Sequence, residues 1–285
     1  MEKIKDPITL EEMLAKIKDR GCIVEDDAAA LKILDRINYY RLTAYFLSFR
    51  NEDGTYQENT NFRTVCGIYD FDRKMRSVLY GALGEIEIAL RSRLAYYHSS
   101  KYGALGYEYT DNFNKDHKHA KVLSKFYREM DQNKNKLFVK HHMENYGGKM
   151  PIWAVLELCT FGDLSIFYAD LHRADKKEVA RQFGVPDDKL ESWLHCLTTL
   201  RNHCAHYERL YQITFKPQPS QPREIDRPMG KQLFDYILCA KFVYPDQEEW
   251  KNGVFSQISA IMEEYKEYIN LDCIGFPEDW EEMLQ

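Results

Sequence analysis

The residues best suited to chemistry lie in one short run, Arg201 to His206, with the order Arg-Asn-His-Cys-Ala-His. The run ends a segment, Ser192 to His206, in which Arg201 is the only residue that is charged while His is neutral. Surface helices usually carry several charges on their outer face, so this segment indicates a polar cluster that faces a cleft or a partner. Because Arg binds phosphate and His transfers protons near neutral pH, the combination suits phosphodiester chemistry.

Helical geometry, at about 100° per residue, divides this segment into two faces. The apolar face comprises Leu190, Trp193, Leu194, Leu197, Leu200 and Cys204. The opposite face comprises His195, Thr199, Asn202 and His206, which are polar but uncharged. Arg201 lies at the edge of the apolar face, and its flexible stem can bring its guanidinium toward the polar cluster of this chain or of a second copy.

The chemistry that these residues favour is RNA cleavage. RNA carries its own nucleophile, the ribose 2′-OH, so an enzyme must deprotonate that hydroxyl, protonate the departing 5′-oxygen and stabilise charge on phosphorus. We expect His206 to act as general acid or base and Arg201 to hold the phosphate oxygens. Asn202 lies one turn from His206 and can orient its ring or the phosphate. This interpretation requires no metal and no cofactor.

Two other interpretations of this helix stay open. The polar side chains could simply form hydrogen bonds to neighbouring helices. A metal site could use His203 and His206 with His195 or Cys196, although these side chains point in different directions and no carboxylate lies close in sequence on the helix.

A second Arg and His pair with the same spacing, Arg93 and His98, lies on a long helix that we predict over about 65–98. These two residues flank an apolar stripe that repeats at three- and four-residue steps. Arg and His commonly border a core stripe. Two such motifs in one chain nevertheless favour a composite site in which Arg93 and His98 join Arg201 and His206.

The overall composition is that of an ordinary globular protein, with 44% hydrophobic and 29% charged residues. No apolar run approaches the roughly 20 residues of a membrane span, and the first residues lack the apolar core of a signal peptide. The 7 Cys are odd in number and scattered, which argues against a disulfide framework or a zinc ribbon. We therefore expect a cytoplasmic protein that does not enter a membrane.

The net charge of -6 does not indicate nucleic-acid binding, but the charge is uneven. The segment 115–142 holds eight Lys or Arg against three acids, and such clustering is the usual footprint of a polyanion site. The RNA-binding candidates are Lys115, Lys118, Lys121, Lys125 and Arg128. A solvated helical hairpin explains the same composition.

Helical signals dominate the chain and predict an all-α fold, with Gln212 to Phe215 as the best strand candidate. Thr9 with Glu12 fits a capping box that starts a first helix, and Thr160 is a plausible N-cap near the middle of the chain. We expect an N-terminal helical extension over 1–60 and a helical bundle over 61–285, which could also form one continuous domain.

Most of the chain resembles the Abi-like family of bacterial abortive-infection proteins, of the AbiD/AbiF type. The blocks that carry the resemblance are Leu10 to Glu12, Gly21 to Asp26, Arg36 to Leu42, Ala44-Tyr45, Tyr69 to Arg76, Glu85 to Arg91, Trp153 with Glu157, Thr160 to Ser165, and Leu200 to His206. Several blocks in the same order are far more specific than the six-residue run alone.

The resemblance implies a HEPN-type helical bundle, whose Arg-Asn-x-x-x-His motif marks many metal-independent ribonucleases. The motif carries over to Arg201, Asn202 and His206 without departure, whereas Leu94 replaces the Asn after Arg93. The resemblance also implies a site completed by two facing motifs, in a homodimer or in a pseudo-dimer within one chain. It further implies phage defence through RNA damage. A small RNA or a protein would hold the toxicity in check until infection.

The alternative function is a non-catalytic scaffold of a defence or toxin–antitoxin system. Such a protein would bind RNA through the basic segment 115–142 or other proteins through the acidic C-terminal region.

Overall fold

A computed structural model describes residues 6–116 and 118–285, and the regular secondary structure of these residues is helical. The helices are α1 (Leu10–Asp19), α2 (Asp27–Arg36), α3 (Tyr39–Phe46), α4 (Phe62–Tyr102), α5 (His119–Gln132), α6 (Leu137–Asn145), α7 (Ile152–Val155), α8 (Phe161–Asp170), α9 (Arg173–Arg181), α10 (Asp187–Ala205), α11 (Leu233–Val243), α12 (Gln247–Glu249), α13 (Ser256–Tyr265) and α14 (Trp280–Leu284). A π-helical turn, Trp250–Phe255, joins α12 to α13. Only isolated β-bridges occur among these residues, so the prediction of an all-α fold is confirmed.

The 41-residue helix α4 is the axis of the fold. At 1.5 Å per residue it extends about 60 Å, and α3, α7, α8, α10, α11 and α13 all pack against it. Its predicted apolar stripe is buried from Leu79 through Leu83 and Ile86 to Leu94, each with no exposed surface. Amphipathic periodicity therefore correctly predicted which residues of α4 form the central core.

Local capping signals also formed as the sequence predicts. Thr9 accepts a hydrogen bond from the backbone N–H of Glu12, whose carboxylate in turn accepts one from the Thr9 N–H. Thr160 and Asp163 form the same reciprocal arrangement at the start of α8. Each box satisfies backbone donors that the first helical turn leaves unpaired.

The core is continuous from the first helices to the C-terminal ones. Leu14 and Leu34, from α1 and α2, belong to the same buried cluster as the stripe of α4 and the apolar face of α10. The division at residue 60 stays a prediction. The strand candidate Gln212 to Phe215 is irregular, and Gln212 has a positive φ of 53°.

Candidate active site

The Arg201–His206 run closes α10, as the sequence predicts. The helix ends at Ala205, and the His206 backbone N–H donates to the Asn202 carbonyl over 2.9 Å. On the outer face His195, Asn202 and His206 are exposed and Thr199 is half-buried. The six residues assigned to the apolar face are all buried. The predicted division into two faces is therefore confirmed, and two motif side chains are open to solvent.

Arg201 is held by α4 at the border between the core and the polar face. Its Nη2 lies 3.7 Å from Oε2 of Glu87, and its Nη1 donates to Oδ1 of Asn202 over 3.3 Å. Glu87 also pairs with Arg91 at 2.8 Å, and Arg91 donates to the carbonyls of Leu156 and Cys159. The carboxylate thus places the Arg201 head beside Asn202. The sequence indicated that Arg201 could approach the polar face, but it did not indicate the contact with Glu87.

His206 opens into a groove of about 570 Å³ between α3 and the segment that follows α10. Two arginines join the walls across the groove. Nη1 of Arg41 donates to the Tyr207 carbonyl over 2.6 Å, and Nη1 of Arg209 donates to the Ala44 carbonyl over 2.5 Å. One wall of the candidate site therefore comes from the predicted N-terminal extension, where sequence reasoning assigned no functional residue.

A buried polar network fixes the segment that follows His206. Asp72 has no exposed surface and accepts hydrogen bonds from the backbone N–H groups of Leu210 (2.8 Å) and Tyr211 (2.9 Å) and from the Tyr45 hydroxyl (2.9 Å). Arg76, also buried, lies 3.5 Å from the same carboxylate and donates to the Glu208 carbonyl over 3.1 Å.

Burial raises the pKa of Asp72 to about 6, although these donors act in the opposite direction. The network anchors to α4 the segment that lines the groove just beyond His206.

The second predicted pair, Arg93 and His98, lies in different surroundings. His98 has no exposed surface and packs among the rings of Tyr102, Phe113 and Phe167, and neither of its ring nitrogens has a hydrogen-bond partner. Burial lowers the pKa of His98 to about 4, which favours the neutral ring. The Arg93 guanidinium lies 3.9 Å from the centre of the Phe183 ring, and burial lowers its pKa as well.

The two motifs do not converge within one chain. Arg201 lies beside Glu87, and the Glu208 carbonyl lies beside Arg76. Because the neighbouring position on α4 moves backward from 87 to 76 as the chain advances from 201 to 208, α10 runs antiparallel to α4. His98 is 22 residues beyond Arg76, a rise of about 33 Å along the helix. The structure therefore separates His98 from His206 along the length of α4.

The RNA-binding candidates, apart from Lys115, line a second groove of about 600 Å³ between α5 and α8. Val122, Ile166 and other apolar side chains form part of its lining. Lys125 is paired with Asp163, and the Arg128 guanidinium lies 3.4 Å from Glu129. Lys118, the N-cap residue of α5, and Lys121, on its first turn, are exposed, and so is Arg128. Lys115 is exposed in the preceding loop.

All seven Cys have free thiols, and burial raises the pKa of the Cys204 thiol to about 12. Among the described residues, no three His, Cys, Asp or Glu side chains are grouped so that they could hold a metal ion. No helix in that part of the chain combines the length and apolar character needed to cross a membrane.

Comparison with known proteins assigns the family. The family model described as Abi-like protein matches residues 32–212, which is more than half of the 285 residues and includes all of α3, α4 and α10. No curated protein and no solved structure matched the chain. The chain therefore belongs to the Abi-like protein family, and this membership implies a role in abortive infection, a bacterial defence against phage.

Proposed function

We propose that this protein is an abortive-infection effector that cleaves RNA as a metal-independent endoribonuclease. The observation that carries the proposal is the arrangement at the end of α10. Asn202 and His206 are exposed on one face, and the Arg201 guanidinium donates to Asn202 over 3.3 Å. The proposal places the phosphate of the RNA in contact with the guanidinium, the carboxamide and the imidazole.

The proposed chemistry divides among these three side chains. His206 transfers a proton, either from the ribose 2′-OH or to the departing 5′-oxygen, a role worth about 100- to 10,000-fold in rate. Arg201 stabilises the charge that develops on the phosphate oxygens. Asn202 donates a further hydrogen bond through its amide. The products are a 2′,3′-cyclic phosphate and a 5′-hydroxyl.

The Glu87 carboxylate has a defined part in this scheme. It offsets part of the positive charge of Arg201 and Arg91 and keeps the Arg201 head at the edge of α10. The 3.7 Å separation from Arg201 is longer than a strong charge-assisted hydrogen bond. A bound phosphate can therefore compete for Arg201 without breaking a short pair.

One imidazole supplies only one of the two proton transfers that cleavage requires. His98 is enclosed in the core, so the second transfer comes either from water or from His206 of a second copy. We propose a homodimer in which two α10 termini face one RNA strand.

The test is incubation of purified protein with total cellular RNA in excess chelator, followed by mapping of product ends. The proposal predicts cyclic phosphate ends, with cleavage lost in Arg201→Ala and His206→Ala. The matched control is Arg181→Ala, because Arg181 is exposed and forms only a surface pair with Glu178. If both motif variants cleave at the wild-type rate, or if all cleavage requires added metal, the proposal is wrong.

The groove between α5 and α8 favours a second candidate function, RNA binding without cleavage. Its exposed lysines, Lys118 and Lys121, lie beside an apolar surface. For single-stranded RNA the slope of log K against log salt changes by about 0.7 for each phosphate contact. Lys118→Glu with Lys121→Glu should therefore weaken binding and flatten the slope by up to about 1.4. An unchanged slope excludes this surface.

A further inference from the structure

The groove beside His206 carries two exposed aromatic side chains. Tyr40, on the first turn of α3, is 85% exposed, and Tyr207, directly after His206, is 65% exposed. Both line the groove of about 570 Å³ that contains His206. Large exposed rings on the two walls of a groove that contains a candidate catalytic residue present flat surfaces to a ligand.

Hydrogen bonds hold the backbone that carries the Tyr207 ring. Tyr207 has a φ of 56°, a left-handed conformation that is unusual for a bulky residue. Its carbonyl accepts the 2.6 Å hydrogen bond from Arg41, and the following Glu208 carbonyl is held by Arg76. This left-handed conformation ends α10 in a Schellman motif, which the backbone N–H groups of Tyr207 and Glu208 close onto the last turn of the helix.

The charge of the groove suits a polyanion. Arg41 and Arg209 each use one N–H group of Nη1 to join the walls, and a guanidinium has five N–H donors. One carboxylate, Glu208, also lines the groove, and its Oε2 lies 3.0 Å from Nδ1 of His203. Remaining donors on both arginines can therefore contact phosphate oxygens.

We propose that Tyr40 and Tyr207 are substrate-binding residues on which bases flanking the cleaved linkage stack. The inference rests on the proposed function and makes it more specific: the RNA must be unpaired where it is cut. Bases in a duplex are already stacked and paired, so they cannot lie against two protein rings. Arg41 and Arg209 hold the backbone of the same strand, and the linkage between the stacked bases lies at His206.

Binding measured in the His206→Ala background tests the inference without cleavage. The probes are an unstructured 12-nucleotide RNA and a ribose-phosphate 12-mer without bases. Fluorescence anisotropy measures the binding of each probe. Stacking on one aromatic ring accounts for roughly a 5- to 100-fold difference in Kd. Tyr40→Ala and Tyr207→Ala should each weaken RNA binding within this range and leave binding of the base-free probe unchanged. Tyr40→Phe and Tyr207→Phe keep the ring and should bind RNA as tightly as the parent protein. Tyr96→Ala, which removes a ring 73% exposed on α4, is the matched control.

Three results would overturn the inference. The Ala variants could bind RNA as tightly as the parent, they could lose affinity for both probes equally, or the protein with His206 intact could cleave a duplex as fast as the single strand. Failure of the proposed function is distinguishable, because it appears as absence of cleavage by the unmodified protein. The binding comparison in the His206→Ala background does not depend on cleavage.

Discussion

The burial of His98 predicts a specific dependence of stability on pH. The ring has no exposed surface, and neither of its nitrogens has a hydrogen-bond partner. Protonation would place an uncompensated charge among Tyr102, Phe113 and Phe167, so folding favours the neutral form. Because the folded-state pKa is lowered, the contribution of His98 to stability is present above the unfolded pKa and is lost as pH falls through the folded pKa.

The two pKa values set the magnitude. The ordinary value is 6.5 and burial lowers the pKa of His98 to about 4, a difference equivalent to about 3 kcal/mol. The perturbation is His98→Leu, which removes the titrating ring and keeps an apolar side chain of similar size. At pH 7.5 we expect the variant to be within about 1 kcal/mol of wild type, because it also removes two unpaired polar atoms.

The assay is urea unfolding of both proteins at several pH values between 7.5 and 4. The difference in unfolding free energy, wild type minus variant, should fall by about 3 kcal/mol over this range. Using the difference removes the contribution of carboxylates that titrate in both proteins. A difference that stays constant would refute the reasoning about His98. We also expect His98→Leu to keep any RNA cleavage at pH 7.5, and loss of cleavage in a stable variant would place His98 in the active site.

Two further predictions concern contacts of α4. Asp72→Asn should reduce the unfolding free energy by about 3–5 kcal/mol, because its amide N–H₂ would face one of the N–H or O–H groups that now donate to the carboxylate. A loss below about 1 kcal/mol in urea unfolding would contradict the network. Gly67→Ala should cost about 1–3 kcal/mol and lower the Tm, because a Cβ there would lie 2.5 Å from the Tyr268 ring; an unchanged Tm would show that the ring moves aside freely.

The features that the sequence predicted correctly obey local rules. The Thr9–Glu12 capping box and the stripe from Leu79 to Leu94 depend on residues three or four positions apart. Both features can therefore be predicted from a short stretch of sequence. The two faces of α10 follow from the same periodicity. Membership of the Abi-like family likewise rests on ordered blocks of sequence.

Features set by distant contacts were not predictable in the same way. The groove wall formed by α3 depends on the hydrogen bond from Arg41 to Tyr207, which joins positions 166 apart. His98 lies near the border of the apolar stripe, where periodicity predicts partial exposure. Phe113 and Phe167 cover it from loops and helices elsewhere in the chain. Helix α9 escaped prediction because charged residues dominate it and its apolar positions are few.

The most direct test of the central claim compares His206→Ala with His195→Ala in cleavage of a single-stranded RNA under chelation. Both histidines are exposed on the same face of α10, eleven positions apart, so the pair separates catalysis from general effects of changing an exposed histidine. The account predicts a rate loss of about 100-fold or more for His206→Ala and a rate close to wild type for His195→Ala. Equal rates for the two variants would contradict it.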